Sequence, residues 1–400
     1  MDETASLWHG LIRDGAWLRA DRVRAASTIW LLMLAGLLAS LPWTVPGMRL
    51  GWDFAAFWTA ARLAAAGQAA ASYGEVAREA LAALLGPRPY APFFYPPPAL
   101  LLWLPFGVLS FAAARLAWVG GTAAVYLAAI RLAGGRAAML PALAFPAVAI
   151  CGLYGQNALF SAALLAATLA TLERRPAFAG VLIALLVYKP QLAILVPFVL
   201  LAARRWRALG AVCLTGLALC LASLLAFGVD AWRGFFAALA VASDWNGSGQ
   251  PGFDKFVSLY AALRLLGAPA ASAMLAQAAI GLAAATGALA LAWRRPGGGP
   301  EIAVLVVATL LAVPFLGDYD LVLLAVPGAW IARAAARSGW LPYERLGLAL
   351  LFWAPLALKP AAVHGLPLGP LVLLGAAVLV GRRVLRKAEP SQGQERTSFS

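Results

Sequence analysis

A single carboxylate stands out beside the first hydrophobic segment. Asp53 is the only acidic residue between Asp21 and Glu75, and it lies in residues 51–58, with the sequence GWDFAAFW. A carboxylate beside aromatic residues at a membrane surface is a candidate for chemistry on a polar substrate held by lipid. Aspartate is also favoured as the N-cap of a helix, by ~0.5–2 kcal/mol. Catalysis and capping are therefore both open at Asp53.

The elements around Asp53 are membrane helices by composition. Of the 400 residues, 63% are hydrophobic and 12% are charged, and the mean hydropathy is +0.82. These values predict an all-α polytopic membrane protein. The net charge of +14 could suggest nucleic acid, but the basic residues are scattered between apolar segments, so no nucleic-acid partner is expected. The cysteines have no spacing typical of a metal site.

Arginine clusters end the apolar segments and define the predicted topology. The positive-inside rule places these clusters and both termini in the cytoplasm. About twelve transmembrane helices, with a range of 10–13, are then predicted, at residues 27–45, 112–131, 137–151, 158–172, 178–188, 191–203, 208–227, 268–293, 301–316, 320–336, 346–360 and 366–381. Several are shorter than the ~17–25 residues of a full crossing, which is tolerated where helices line a protein-enclosed cavity.

This topology leaves two long outer loops, residues 46–111 and 228–267. In the first loop, helical periodicity predicts a pair of interfacial helices at 54–66 and 75–85. Residues 97–110 are predicted to form a re-entrant or interfacial segment.

The predicted domain organisation is simple. Residues 1–387 form one transmembrane domain, and the polar tail at 388–400 is predicted to be a disordered cytoplasmic segment. The unusual polar residues gather in the outer loops and turns.

Four stretches carry a family resemblance by their order. They are DFAAFW from Asp53, with Tyr73 downstream, FYPP from Phe94, GQN from Gly155, and YKPQ from Tyr188. Together they resemble glycosyltransferase family 87, whose bacterial membrane enzymes are similar to polyprenyl-phosphate-mannose-dependent mannosyltransferases of the C-type superfamily. The resemblance runs from about Asp53 to Arg207 and resumes at residues 254–259 and 317–321.

The resemblance implies a C-type bundle and an inverting transferase. It implies transfer of a sugar, best known in the family as mannose, from a polyprenyl-phosphate donor to a glycan or glycolipid acceptor at the outer face of the bacterial cytoplasmic membrane. Asp53 matches the family's general base, and base catalysis contributes ~10²–10⁴-fold. No cofactor is expected; Asp318 and Asp320 leave a divalent ion open, although two carboxylates are a poor metal site.

The departing polyprenyl phosphate gains charge and needs cations nearby. Lys189 is the first candidate, because it lies between apolar segments and precedes a helix-breaking proline. Lys255 is the second and Arg62 a weaker third. Snorkelling to the headgroups explains Lys189 about as well, and a solvated loop charge is the alternative for Lys255.

Seven further side chains are candidates for binding the sugar or the acceptor. Capping or turn formation is the alternative for the asparagine and the two aspartates, and membrane-belt packing for the tryptophan. These candidates are Trp58, Tyr95, Gln156, Asn157, Gln191, Asp318 and Asp320.

A transporter or flippase of lipid-linked glycans is the alternative function, because many helices broken by glycine and proline also describe transporters. No internal repeat is visible, and the polar groups lie at helix ends rather than at mid-membrane, which favours the transferase. The structural feature that would discriminate the two functions is convergence of Asp53, Lys189 and the Gln156 turn on one outward-facing cavity.

Overall fold

The computed structural model describes residues 9–44, 51–86, 93–250, 252–294, 297 and 299–386. Within these ranges the chain is helical, and the isolated antiparallel bridge between Phe256 and Gly317 is the one extended pairing. The predicted all-α fold is therefore confirmed for the described residues. The predicted disordered tail at 388–400 lies outside them, as do parts of the first outer loop.

The helices follow one another with short connections. They are α1 (Ala20–Thr44), α2 (Trp52–Ala65), α3 (Glu75–Leu85), α4 (Pro97–Phe106), α5 (Phe111–Gly134), α6 (Arg136–Ala144), α7 (Pro146–Tyr154), α8 (Ala158–Thr171), α9 (Pro176–Tyr188), α10 (Pro190–Ala202), α11 (Trp206–Gly247), α12 (Leu259–Leu265), α13 (Ala270–Arg294), α14 (Pro300–Ala312), α15 (Asp318–Ser338), α16 (Glu344–Val363) and α17 (Gly369–Leu385).

Within the described ranges, six helices are long and apolar enough to cross a membrane: α1, α5, α11, α13, α15 and α16. The pair α6 and α7, bent by 58°, would make a seventh span. The helices α4, α8, α9, α10 and α14 are apolar but shorter. Each of the twelve predicted segments coincides with a helix or with this bent pair. A multi-pass membrane protein is thus confirmed, and twelve crossings stay a prediction.

The arginine clusters meet at one end of the bundle. Arg205, before α11, contacts both Glu173, after α8, and Glu301, at the start of α14. A Cβ on Gly299 would lie 3.5 Å from Leu169 of α8 and 3.6 Å from Trp330 of α15, which brings these helices to the same end.

The last helices join them there. Arg383 of α17 pairs with Glu344 at the start of α16 and donates to the Gly339 carbonyl after α15. We call this the arginine end. Because α8 and α15 finish at the arginine end and α14 starts there, the polar turns at their other ends meet on the opposite side.

The second outer loop differs from the prediction. Instead of a loop after residue 227, α11 continues to Gly247 and changes direction at Gly228, whose φ of 75° and ψ of 172° are not helical. The physical reason is packing: Ala231, Phe235 and Ala238 repeat on one helical face and are buried, and this segment packs against the 3₁₀ helix Ala69–Tyr73. Much of the predicted outer loop is therefore helix.

The first outer loop contains the two predicted helices, with α3 at its predicted bounds and α2 within two residues of them. However, α2 is not a surface helix, because residues 54–61 are all buried. Its Phe57 ring stacks on Trp103 of α4 at 4.4 Å. The rings of Tyr95 and Tyr188 lie 5.4 Å and 5.9 Å from Trp103. This aromatic core anchors α2 next to the polar turns. Helix α4 is too short to cross a membrane.

Candidate active site

Two glycines bring the start of α2 against the end of α7. The Gly51 amide donates to the Leu153 carbonyl at 2.8 Å. Gly51 has a φ of +81°, and a Cβ there would lie 2.4 Å from the Arg115 side chain. Gly155 has a φ of +72°, and its Cβ would lie 2.6 Å from the Phe54 Cβ. Both positions therefore require glycine, and the contact places Asp53 beside the Gln156 turn.

A second backbone contact brings Lys255 against the start of α15. The Val257 amide donates to the Leu316 carbonyl at 2.9 Å, next to the bridge between Phe256 and Gly317. Ser258 also donates to the Pro314 carbonyl. These bonds tie the segment after α11 to the turn that carries Asp318 and Asp320.

Asp53 is held through one oxygen and open at the other. Its Oδ2 accepts hydrogen bonds from Gln156 Nε2 at 2.7 Å and from Lys255 Nζ at 3.0 Å. Among the described residues, no group donates to its Oδ1. The side chain is 19% exposed. The N-cap of α2 is Gly51, so the capping alternative for Asp53 is wrong. A carboxylate that is fixed through one oxygen can use its other oxygen to accept a proton from a bound hydroxyl.

Lys189 and Asp320 form a second ion pair that is closed to solvent. Their Nζ and Oδ1 atoms lie 2.5 Å apart, and the side chains are 4% and 3% exposed. The other Asp320 oxygen accepts from the Gly317 amide at 3.3 Å, and Asp318 accepts from the Tyr319 amide at 2.8 Å. Asp320 thus both caps the first turn of α15 and neutralises Lys189. A phosphate that reached Lys189 would have to compete with Asp320.

Two tyrosines that the sequence did not single out lie against these lysines, and one of them, Tyr319, connects the two ion pairs. The Lys255 ammonium lies 4.6 Å from the Tyr154 ring and 5.5 Å from the Tyr319 ring. Lys189 lies 5.5 Å from the same Tyr319 ring. Aromatic faces attract cations, so Tyr319 stabilises both ammonium groups. Sequence position could have indicated both tyrosines, because Tyr154 directly precedes the turn of Gln156 and Tyr319 lies between Asp318 and Asp320. A third missed residue, Lys359, has its Nζ 3.5 Å from the Tyr154 hydroxyl.

Asn157 offers a second polar group to a ligand. It makes no side-chain cap on α8; its Nδ2 instead donates to the Tyr95 hydroxyl at 2.8 Å. Its Oδ1 is buried, and within the described residues it has no hydrogen-bond partner. Burial raises the pKa of the Tyr95 phenol well above its usual value, so this group stays protonated. Buried polar atoms are normally paired, which makes the Asn157 oxygen a candidate contact for a substrate hydroxyl.

Three predicted site residues lie apart from this cluster. Arg62 is exposed and stacks over the Trp58 ring at 4.9 Å. Trp58 is buried and donates to the Leu109 carbonyl at 3.0 Å. Asp53 and Arg62 are nine residues apart in α2, and a helix turns by about 100° per residue, so the two side chains lie on opposite faces. Gln191 is exposed at the start of α10, and no contact among the described residues links it to the cluster.

The remaining predicted side chains lie in one cluster, and their convergence on one outward-facing cavity stays a prediction. Asp53 contacts Gln156 and Lys255 directly, and Tyr319 connects Lys255 to Lys189. In the part of the chain that the structure describes, no three histidine, cysteine, aspartate or glutamate residues are grouped so as to hold a metal ion. The cluster therefore combines an open carboxylate, cations and a buried amide at one end of the bundle.

Comparison with known proteins identifies the family. The family model described as glycosyltransferase family 87 matches residues 93–316, more than half of the chain. No curated protein and no solved structure matches the chain. The match includes Tyr95, the Gln156 turn, Lys189 and Lys255, whereas Asp53 precedes it. This chain therefore belongs to glycosyltransferase family 87 and is a multi-pass membrane glycosyltransferase.

Proposed function

We propose that this protein is an inverting hexosyltransferase that uses a polyprenyl-phosphate-linked sugar, with mannose the first to test, and Asp53 as its general base. The observation that carries the proposal is the Asp53 carboxylate. Gln156 and Lys255 fix its Oδ2, and within the described residues its Oδ1 accepts no hydrogen bond. A base must be positioned and still have a free lone pair, and Asp53 meets both requirements.

The proposed reaction is a single displacement. The acceptor hydroxyl oxygen attacks the anomeric carbon while the bond from that carbon to the phosphate oxygen breaks. The hydroxyl proton moves to Asp53 Oδ1, and polyprenyl phosphate leaves with the electron pair of the broken bond. One displacement inverts the anomeric configuration.

The leaving phosphate gains negative charge, so a cation within reach stabilises the transition state. Lys255 is the better placed of the predicted lysines, because its side chain is 19% exposed whereas that of Lys189 is 4% exposed. We assign Lys189 to holding Asp320 and the first turn of α15.

Asn157 Oδ1 and the Asp318 carboxylate are the proposed acceptors for sugar hydroxyl groups, with the Tyr95 phenol beside Asn157.

The position of the cluster supports chemistry at the outer face of a bacterial cytoplasmic membrane. The arginine clusters lie at one end of the bundle and the Asp53 cluster at the other. Under the positive-inside rule the arginine end faces the cytoplasm, which puts the cluster outside. A donor carried by lipid can reach such a site. We propose a glycan or glycolipid as the acceptor and a C-type arrangement of the whole bundle as a single domain.

The test is sugar transfer in membranes supplied with radiolabelled polyprenyl-phosphate-mannose and a native lipid extract. We expect the intact protein to label a lipid or glycan product. Asp53→Asn keeps the side-chain shape but removes the base, and it should transfer ~10²–10⁴-fold more slowly. Asp230→Asn is the matched control, because that aspartate is 73% exposed and pairs only with Arg233 among the described residues.

Equal transfer by the intact protein and Asp53→Asn would remove Asp53 from the mechanism. Failure with a panel of polyprenyl-phosphate sugars would reject the donor class. If the same membranes then moved a fluorescent lipid-linked glycan between leaflets in a protein-dependent manner, the flippase alternative would replace the transferase proposal.

A further inference from the structure

Lysines are concentrated at the Asp53 cluster. The chain has only four, and three of them, Lys189, Lys255 and Lys359, lie there. Two already have carboxylate partners: Lys189 pairs with Asp320, and Lys255 pairs with Asp53. The third, Lys359, has no role in the mechanism given above.

Lys359 is a cation that has no ion-pair partner among the described residues. It lies in α16 between Leu358 and Pro360 and is half-buried. Its nearest polar contact is the Tyr154 hydroxyl at 3.5 Å, and within the described residues it forms no salt bridge. A charged side chain in an apolar helix is unfavourable unless an anion or water satisfies it. A ligand anion is therefore a natural partner for Lys359.

Tyr154 links Lys359 to Lys255. One ammonium lies 4.6 Å from the face of the Tyr154 ring, and the other lies 3.5 Å from its hydroxyl. Two flexible ammonium groups and a phenol hydroxyl together supply several donors to a small anion. The buried Asp318 carboxylate interacts electrostatically with both lysines, and the Asp53 carboxylate already pairs with Lys255, so an anion must be bound against both of these negative charges.

We propose that Lys359, together with Lys255 and the Tyr154 hydroxyl, forms the site that binds the phosphate of the polyprenyl-linked donor and product. This assignment rests on the function proposed above and deepens it, because it names the cations that take up the leaving-group charge. Lys189 is excluded from the site by its buried pairing with Asp320. The ligand class is a phosphate ester carried on a polyprenyl chain.

The direct test is binding of polyprenyl monophosphate to the purified full-length protein in nanodiscs of phosphatidylcholine. Lys359→Gln should bind about 10-fold or more weakly, as expected for the loss of one charge-assisted contact. Lys359→Arg keeps the charge and should bind within about threefold of the intact protein. Arg233→Gln removes an exposed positive charge elsewhere and should bind normally.

If Lys359→Gln is unstable, Lys359→Met supplies a second uncharged variant. Normal binding by either uncharged variant would overturn the proposal.

Competition experiments identify which chemical group of the ligand the site binds. Inorganic phosphate should compete weakly with polyprenyl monophosphate, and free polyprenol should not compete. Equal competition by phosphatidylglycerol would overturn the assignment, because the site would then accept any anionic headgroup.

A double variant separates phosphate binding from simple neutralisation of Asp318. If Lys359 only balances that carboxylate, adding Lys359→Gln to Asp318→Asn should leave binding the same as in Asp318→Asn alone, which would overturn the proposal. Binding about 10-fold or more weaker than in Asp318→Asn alone supports it. Because binding is measured without turnover, Lys359-dependent binding in the absence of any transfer would reject the proposed function alone. Transfer with unchanged binding in Lys359→Gln would reject this inference alone.

Discussion

Lys189 and Asp320 are 131 residues apart in the chain, yet they form a 2.5 Å ion pair that is almost closed to solvent. Lys255 and Asp53, 202 residues apart, form a second and more open pair. The Tyr319 ring lies 5.5 Å from each ammonium. The two pairs have different environments, so we infer that the buried pair sets the position of α15 and the open pair meets the substrate.

The buried pair should therefore be important for stability. Lys189→Met alone leaves the Asp320 charge uncompensated, and Asp320→Leu alone leaves the Lys189 charge. We expect each single variant to destabilise the protein by ~3–5 kcal/mol and the double variant to recover most of that loss. Thermal unfolding in detergent, followed by light scattering, measures the three effects. Additive losses in the double variant would contradict a direct coupling of the two charges.

The same double variant also tests the role of Lys189 in catalysis. If Lys189 only positions α15, transfer should recover together with stability. A stable double variant with a strongly raised KM for the donor would instead favour a contact between Lys189 and the phosphate.

Gly155 should be essential for the position of Asp53. In Gly155→Ala the new Cβ would lie 2.6 Å from the Phe54 Cβ, at a φ of +72° that alanine rarely adopts. The start of α2 must then move away from the Gln156 turn, so we expect transfer to fall by at least about tenfold. Gly152→Ala is the matched control within α7, because its Cβ would meet only Val119, at 3.6 Å. Transfer assays on membranes with equal protein content compare the two; similar losses would point to α7 in general.

Local patterns in the sequence predict the helices well. The periodicity around residues 54–66 and 75–85 predicts α2 and α3 closely, because the side chains that repeat every three to four residues are the ones that pack. The turn glycine at 155 and the proline after Lys189 mark the places where helices end and polar groups emerge. The resemblance to family 87 is confirmed by the family match.

Contacts between distant segments are harder to predict. Nothing local shows that α2 is buried, or that Lys359 reaches Tyr154 across 205 residues. The change of direction at Gly228 is equally hidden, since an apolar segment continues on both sides of it. These features depend on how helices pack in three dimensions, which hydropathy and spacing do not encode.

Gln156 should act on the rate rather than on donor binding. Its Nε2 donates to Asp53 Oδ2 at 2.7 Å, a hydrogen bond to a charged group worth about 1.5–3 kcal/mol. Gln156→Ala frees the carboxylate to rotate, so we expect kcat to fall about 10- to 100-fold while the KM for the donor changes little. Steady-state kinetics with varied donor separates the two constants. A change confined to the donor KM would mean that Gln156 binds substrate instead of positioning the base.

Arg62 and Lys255, both predicted from the sequence as phosphate-binding residues, should differ sharply in effect. Arg62 is exposed and stacks on Trp58, on the face of α2 opposite Asp53. Arg62→Gln should therefore transfer sugar within about twofold of the intact protein, because it removes at most a weak surface interaction. Lys255→Gln removes a cation that lies 3.0 Å from Asp53 Oδ2, and it should raise the donor KM and lower kcat together. The two variants make the same change in net charge, so a difference between them isolates position from charge. A large loss in Arg62→Gln would place the phosphate on the other side of α2 and move the donor site away from Tyr154.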